Sequence, residues 1–349
     1  MDNILHLLVG TYTTSGSKGI GIYRFNQQTG ESRSVGVAEV ENPSYLDSCK
    51  NSKYIYSVSE NEDKPSFVNA FSFDHSTEQL TLLNSQPTVG EGPCNIRVDC
   101  DRDHVLTANY GDGSISVFEV NNYGPLHKVS QVIKFAGHSV DPERQKESHV
   151  HCVEFSPENK YVFATDLGTD MIYRFEIDHK GKGDYLKEET KKIFKVPAGS
   201  GPRHFIFHSC GKFMYLINEL SGTVIVYAYN KGNLKETQII KFDDFDAGGG
   251  GDIRICPNGQ FLYASNRLKG DGVAVFYIDP ADGKLTRVGY QFTGIHPRNL
   301  AVTPNGKFLL VACRDSKSVE IYKIDQNTGL LTNIKKDIKT DKPVCLHFI

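Results

Sequence analysis

The sequence predicts an all-β fold, a seven-bladed β-propeller with four antiparallel strands per blade. Three observations predict it. An entry motif recurs seven times, a polar turn follows it several residues later, and a second turn closes each unit in the same register. Chance likeness among the strands of a β-sandwich would not keep three motifs in step.

The entries read Asn42-Pro43-Ser44-Tyr45, Gly92-Pro93-Cys94-Asn95, His149-Val150-His151-Cys152, Gly201-Pro202-Arg203-His204, Gly250-Gly251-Asp252-Ile253, His296-Pro297-Arg298-Asn299 and Lys342-Pro343-Val344-Cys345. Their pitch runs from 46 to 57 residues. The polar turn after each is of the kind Ser156-Pro157-Glu158-Asn159-Lys160 or Thr303-Pro304-Asn305-Gly306-Lys307; Cys49 to Lys53 and Asp99 to Asp103 hold the same place. Pro presets φ and Gly accepts a positive φ, so these are tight turns. The closing turns include Asn26-Gln27-Gln28-Thr29-Gly30, Asn121-Asn122-Tyr123-Gly124, Asp178-His179-Lys180-Gly181 and Asp325-Gln326-Asn327-Thr328-Gly329. Each unit therefore carries strands a to d, with turns between a and b and between c and d.

The first closing turn comes too early for a complete preceding blade, and the last entry too late to be followed by one. The economical solution makes residues 344–349 strand a of a blade whose other strands are 4–9, 20–25 and about 33–40. The first and last strands would then pair and close the ring, which removes an exposed sheet edge. Residues 1–349 read as a single seven-bladed domain.

Composition excludes more than it proposes. A net charge of −3 gives no footprint for nucleic acid or an anionic membrane, and the absence of Trp excludes a Trp-Asp repeat array. No apolar run is long enough to span a bilayer, and no signal-peptide core opens the sequence. The eight cysteines are scattered without metal-knuckle spacing and read as small buried apolar residues. That usage points to a reduced, cytoplasmic setting; a removed signal peptide would place the protein in the periplasm instead.

Both regular turn families lie on the bottom face of a propeller, so the top face is where the repeats can differ. There the entry ring supplies Ser44, Cys94, His151, Arg203, Gly251, Arg298 and Val344. The ends of the b strands supply Glu60, Asn109, Asp166, Glu219, Asn266, Arg267 and Arg314. A cationic trio, His151, Arg203 and Arg298, converges with carboxylates alongside, which suits an anionic ligand whose carbonyl must be held and polarised. The competing reading is ion pairing that locks blades together, and Arg203 with Glu219 fits it.

The longest pitch contains residues 135–148, a polar d-to-a connection read as a wall or partial lid over the site. His149 and His151 alternate along a strand and so share a face. A third ligand in register is missing, so the pair does not read as a metal site, and no cofactor is expected. The run Gly248-Gly249-Gly250-Gly251 lacks the Gly-Lys-Ser/Thr ending of a phosphate loop and leads into a strand. It reads as a close backbone approach that leaves space for a ligand.

The segments Arg144-Gln145, His149-Val150-His151 with Phe155-Ser156-Pro157, Gly201-Pro202-Arg203-His204, Asn218-Glu219-Leu220 and Ala264-Ser265-Asn266-Arg267 resemble the lactonase family of seven-bladed propellers. That family includes bacterial 6-phosphogluconolactonases and fungal carboxy-cis,cis-muconate cyclases. The resemblance covers essentially the whole chain and implies cofactor-free lactone chemistry on a small anionic substrate or sugar phosphate. It places the family's catalytic His, Arg and Glu on His151, Arg203 and Glu219, and a further Arg on Arg298. One departure is Asp252, where many relatives carry Glu. The implied reaction is hydrolysis of 6-phosphoglucono-δ-lactone to 6-phosphogluconate in the pentose phosphate pathway. Either His151 or Glu219 would activate water, and Arg203 would stabilise the oxyanion. Arg298, with His204, His149 or Arg144, would hold the phosphate; Asn109, Glu60 and Arg267 complete the expected substrate contacts. The alternatives are a muconate-type lactonising cycloisomerase and a non-catalytic propeller that binds a partner on its top face. A closed propeller has no need to assemble, so a monomer or weak homo-oligomer is expected.

Overall fold

The computed structural model describes residues 3–49, 53–61, 64–99, 103–121, 124–178, 181, 183–246 and 248–349. The turn residues 50–52, 100–102, 122–123 and 179–180 lie outside the described residues. Every regular element among those described is a β-strand, and they form the seven antiparallel sheets of a seven-bladed β-propeller. Among the described residues no helix is long and apolar enough to cross a membrane.

Blade 1 joins the first and last strands of the chain. Pro343–Phe348 takes the a position, followed by Ile4–Thr11, Gly19–Asn26 and Ser32–Glu39. Blades 2 to 6 each run through four consecutive strands, beginning at Leu46, Pro93, Val150, Pro202 and Gly250. Blade 7 begins at Pro297, and its outer strand comes in two pieces, Leu331–Asn333 and Ile338–Lys339, both paired with Ser318–Ile324. The break falls at Lys335, whose backbone is left-handed (φ 59°).

Burial follows position in the blade. The b strands Tyr161–Asp166, Phe213–Asn218, Phe261–Asn266 and Phe308–Cys313 are buried at every residue. They are covered on both faces, so they read as continuous rather than alternating runs. The outer strands, such as Gln79–Pro87, are mostly exposed and carry charge or polarity on the open edge. In the c–d turns, Asn26 accepts hydrogen bonds from the backbone N–H of Gln28 and Thr29, and Asp325 from those of Asn327 and Thr328. Gly30 and Gly329 then take φ near 70°, a conformation that penalises any Cβ.

The chain divides into two compact units. One holds blades 5, 6 and 7 with most of blade 1; the other holds blades 2, 3 and 4. Within each, neighbouring blades are clasped by the same three devices. Near the start of strand a, a short polar side chain accepts the backbone N–H of the next blade's strand a. Asp47 does so with Val98, Asn95 with Val153, Asp252 with Leu300 and Asn299 with Leu346. On strand d, Asn84, Gln131 and Gln238 bond both backbone groups of Leu126, Leu186 and Leu285. On strand b, the hydroxyls of Tyr56, Tyr215 and Tyr263 donate to the carbonyls of Gly124, Gly283 and Gly329. Each such bond contributes about 1 kcal/mol, and orphaning either buried partner costs more. The space between blades is filled by clusters such as Val150, Val162, Phe175 and Leu186 in one unit and Tyr215, Phe242, Leu262 and Phe276 in the other.

The cysteines divide in a way the sequence did not suggest. Cys94, Cys152, Cys256, Cys313 and Cys345 are buried unbridged thiols, as small apolar residues would be, whereas Cys49 is disulfide-bonded. This corrects the expectation that none forms a bridge, and it removes the cysteine argument for a reducing compartment.

Candidate active site

The backbone prepares the same position in six of the seven blades. The residue opening the entry motif is left-handed at Asn42, Gly92, Gly201, His296 and Lys342, and in blade 6 Gly249 just before the entry is too, with φ between 38° and 84°. A β-bulge follows. Pro93 pairs with Asn109 and Asn95 with Ala108, leaving Cys94 unpaired; Val150 and Cys152 skip His151 in the same way. Pro297 and Asn299 skip Arg298, Pro343 and Cys345 skip Val344, and the bulge of blade 6 takes in Gly251 and Asp252. A bulge re-aims the side chain it releases, so it is these residues that can leave the regular in–out alternation of the strand.

In the other ring Asn109, Asp166 and Asn266 fall one residue short, while Glu60, Glu219, Arg267 and Arg314 stand in the expected place. Strand b ends at Ser59, Asn109, Asp166, Asn218, Asn266 and Cys313. The residues after these are Glu60, Tyr110, Leu167, Glu219, Arg267 and Arg314. Five of these six (Glu219 aside) donate their N–H to the carbonyl of the left-handed or entry residue of their own blade. Asn109 is therefore corrected. It is fully buried, its amide donates to the hydroxyls of Ser114 and Ser116, and Tyr110 holds the place assigned to it. A one-residue slip moves a side chain to the other face.

In the unit containing blades 5 to 7, one carboxylate gathers two arginines. Glu219 Oε2 accepts from Arg203 Nε at 3.0 Å and from Arg267 Nη2 at 2.8 Å. Arg203 Nη1 also donates to the Gly251 carbonyl. Arg267 donates from Nε to Gly249 O at 3.2 Å and from Nη2 to Gly250 O at 2.9 Å. The glycine run thus works through its carbonyls. A Cβ on Gly251 would lie 2.4 Å from Ser265 Oγ and 2.9 Å from Pro297 O, and one on Gly250 would lie 2.5 Å from Asn218 O.

The charge balance of this cluster is positive. Burial pulls the Arg267 guanidinium down to about 9; Glu219 opposes that shift, while the charges of Arg203 and Arg298 add to it. His296 Nε2 lies 3.5 Å from Arg267 Nη1. Burial, then Arg267, Arg314 and Arg298, hold its imidazole down to about 3, so it is neutral. Arg298 is half-buried, with its guanidinium 5.4 Å from the centre of the Tyr12 ring. Two guanidiniums thus share one carboxylate beside a neutral imidazole, and the charge of a third, Arg298, is felt at Arg267 and His296.

His204, expected among the substrate ligands, turns away from that role. Its Nδ1 lies 2.8 Å from Asp252 Oδ1 and its Nε2 3.4 Å from Arg203 Nη1. Both ring nitrogens are committed to protein.

In the unit containing blades 2 to 4, Tyr110 organises the second group. His149 stacks on its ring (4.4 Å, 12°), and His151 meets the same ring edge-on at 5.4 Å. Arg144 Nη2 donates to the Tyr110 hydroxyl at 3.1 Å. His149 Nδ1 lies 2.8 Å from the Tyr110 carbonyl, which can only accept, so Nδ1 carries the proton. His151 Nδ1 lies 3.6 Å from Cys94 Sγ, and that sulfur is 3.4 Å from the carbonyl of His151. The connection 135–148 is pinned here. Ser139 Oγ donates to Asp170 at 2.6 Å, the buried Gln145 amide to Leu167 O at 2.8 Å, and Ser148 Oγ to Asp166 at 2.6 Å. Glu60 stands on blade 2, half-buried, at the position equivalent to Tyr110 and Glu219.

Sequence reasoning missed Tyr110, His296 and the His204–Asp252 pairing. The signal for the first two lay in the repeat itself: His296 is the only non-glycine in the left-handed place of blades 5 to 7, and Tyr110 follows the end of a b strand.

The model of the Lactonase family of 7-bladed beta-propellers matches residues 6–348. The chain belongs to this lactonase family. It is 37% identical over 342 residues to a 6-phosphogluconolactonase of Formosa agariphila, covering 95% of this chain and 96% of that protein. A solved putative 6-phosphogluconolactonase from Bacteroides fragilis superposes with a TM-score of 0.96 at 52% identity, covering 100% and 98% of the two chains. A periplasmic gluconolactonase from Pseudomonas aeruginosa superposes with a TM-score of 0.93 at 32% identity, covering 99% of each. The lactonase framework thus carries both residue groups described above.

Proposed function

We propose that the protein hydrolyses 6-phosphoglucono-δ-lactone to 6-phosphogluconate. The observation that carries this reading is the guanidinium cluster around Glu219, a desolvated excess of positive charge in a family of lactonases. In the reaction, water attacks the lactone carbonyl, the carbonyl oxygen becomes anionic, and the ring C–O bond then breaks as its oxygen takes a proton. Arg203 stabilises the oxyanion, because a fixed donor in a low-dielectric site acts more strongly than one in water. Arg298, the half-buried arginine, holds the phosphate as a bidentate donor.

Of the two candidate bases, the hydrogen bonding favours His151. Glu219 Oε2 accepts from two guanidiniums and its charge serves them, which leaves His151 as the base. A neutral imidazole is the ordinary proton acceptor near pH 7. Glu219 then acts as the counter-charge that fixes Arg203 and Arg267. Arg144 and His149 hold Tyr110 as an aromatic wall. A sugar phosphate is kept inside a cell by its charge, so this substrate brings a cytoplasmic setting with it; the Cys49 bridge is the observation on the other side.

The test is hydrolysis of freshly generated 6-phosphoglucono-δ-lactone, corrected for spontaneous opening, beside unphosphorylated glucono-δ-lactone. The expected outcome is turnover of the phosphorylated lactone, reduced about 100- to 1,000-fold in Arg203→Ala. An Arg298→Ala variant should lose the preference for the phosphorylated substrate. Equal rates in wild type and Arg203→Ala would overturn the assignment.

A further inference from the structure

We infer that His204 and Asp252 form a buried positioning relay for Arg203, in which a neutral imidazole passes the fixed orientation of a carboxylate to the guanidinium. The inference rests on the reading of Arg203 as the oxyanion donor and gives this chain's own residues the task of aiming it.

The protonation of the relay follows from its two ends. Asp252 is fully buried, and an ionised carboxylate only accepts; His204 Nδ1, 2.8 Å away, must therefore carry a proton. Arg203 only donates, so His204 Nε2, 3.4 Å from Nη1, must present a lone pair. The two demands specify a single neutral tautomer. The electrostatics agree: burial, then the charge of Arg203, hold the imidazole down to about 3 against the pull of Asp252. Burial would raise the Asp252 pKa, but Arg254 and the His204 bond hold it well below the ordinary carboxylate range.

Asp252 itself is anchored from several sides. Arg254 Nη1 is 3.0 Å from Oδ1, Asn299 Nδ2 donates to Oδ2 at 2.7 Å, and the Leu300 N–H donates to Oδ2 at 3.0 Å. The Asp252 N–H is tied to Ser265 Oγ at 2.8 Å. The relay thus begins on a group that cannot move without breaking the clasp between blades 6 and 7.

The repeat shows how blade 5 differs from its neighbours. His204 stands two residues after the start of strand a, the place of Asn95, Asp252 and Asn299. Each of those clasps a backbone N–H of the next blade. Blade 5 puts an imidazole there instead and directs it to Arg203. With Nε on Glu219 and Nη1 on Gly251 O and His204, the guanidinium is constrained at both nitrogens. Tyr45, Cys152 and Cys345 hold this place in the remaining blades, so blade 5 is the one that sets an imidazole there, against the carboxylate of the next blade.

Two substitutions separate positioning from substrate contact. In His204→Asn the side-chain amide can still donate to Asp252, but it is too short to place its oxygen where Nε2 faces Arg203. In His204→Gln the longer amide can reach toward Arg203. With 6-phosphoglucono-δ-lactone, His204→Asn should lower kcat about 10- to 100-fold with little change in KM, because a misaimed group costs rate rather than binding. His204→Gln should recover part of the loss, and the limbs of the kcat/KM pH profile should stay in place in both. A raised KM at unchanged kcat would make His204 a substrate ligand and overturn the relay. So would disappearance of the acid limb, which would make it a titrating base. Nitrogen-15 NMR of the wild type and His204→Asn decides the relay without the reaction. The expected spectra show a Nδ1–H neutral ring at pH 6 to 7 and restrained Arg203 Nη–H signals that average in the variant. A doubly protonated ring, or identical Arg203 signals in both proteins, would overturn it. Absence of any lactone turnover in the wild type, with these spectra as expected, would overturn the substrate reading and leave the relay standing.

Discussion

Glu219 is the residue on which the charge of blades 5 and 6 depends, since one of its oxygens holds both Arg203 and Arg267. Removing one partner of a buried ionic group leaves the others uncompensated, at about 3–5 kcal/mol. Glu219→Gln should therefore lower the unfolding free energy by roughly that amount as well as the rate, read by urea denaturation. A variant of unchanged stability would mean that Glu219 is a base and not a counter-charge. The two neutral histidines carry a second prediction. His204 and His296 have folded-state pKa values held down to about 3, while in the unfolded chain each returns to an ordinary value. Above pH 6.5 neither state binds the extra protons, and the stability is fully present. Below it only the unfolded chain takes them up, so stability falls as pH drops toward 3, by up to about 1.4 kcal/mol per pH unit for each ring. Asp252, with its depressed pKa, loses stability in the same acid direction. Melting temperature against pH should show this slope between pH 6 and 4, and His204→Gln should flatten it. An equally steep slope in that variant would show that His204 is not the source. These shifts were invisible in the sequence, because adjacency of Arg203 and His204 does not reveal which carboxylate sits behind them.

The bulge at the start of strand a is the element that turns a repeated scaffold into a site, because it releases Cys94, His151, Arg298 and Val344 from strand alternation. The entry motif marked these positions in the sequence, since Pro and left-handed residues are legible as composition. The far end of strand b was legible only to within one residue. A buried strand has no alternation to fix its phase, so the sequence does not separate Asn109 from Tyr110, and charge alone tells Asn218 from Glu219. Gly251 tests the same element in blade 6. Its place in the ring is occupied elsewhere by His151, Arg203 and Arg298, yet a Cβ would press on Ser265 Oγ and the Pro297 carbonyl. The carbonyl is backbone and cannot swing aside. Gly251→Ala should shift the strand, disturb the Gly251 carbonyl that receives Arg203, and cost ~1–3 kcal/mol as overpacking does. Activity should fall further than stability alone requires, measured well below the melting temperature. Full activity with a normal melt would show that the glycine provides room rather than a rigid acceptor.

At the scale of the whole chain, the pitch of the repeat was the strongest signal, and it located the blades, their turns and the pairing of the first and last strands. Net charge was a poor guide by comparison. A chain at −3 overall places Arg203 and Arg267 on a single glutamate, with the charge of Arg298 felt at Arg267, because local potential depends on placement and not on the sum. The clasps between blades were illegible, since an Asn, Gln or Tyr on a strand does not declare a partner some fifty residues away. The pairing within blade 1 brings these lessons to one test. Pro343–Phe348 pairs with Ile4–Thr11 from Leu7–Phe348 to Thr11–Pro343 and buries Val344, Cys345 and Leu346. The Leu346 N–H is received by Asn299, and the Phe348 ring packs on Phe25 at 5.6 Å. Burying a Val or Leu side chain contributes about 1.5–3 kcal/mol, so deleting residues 344–349 removes on the order of 5 kcal/mol before the orphaned edge is counted. The loss should appear as a large drop in melting temperature and as amide exchange spreading through Ile4–Thr11, whose inner hydrogen bonds go with the deleted strand. Restoring the deleted segment as a separate peptide should recover both in proportion to its concentration, because it binds only the folded state. A truncated protein that melts like the full chain would mean that strand a of blade 1 adds no stability and that the sheet holds with three strands.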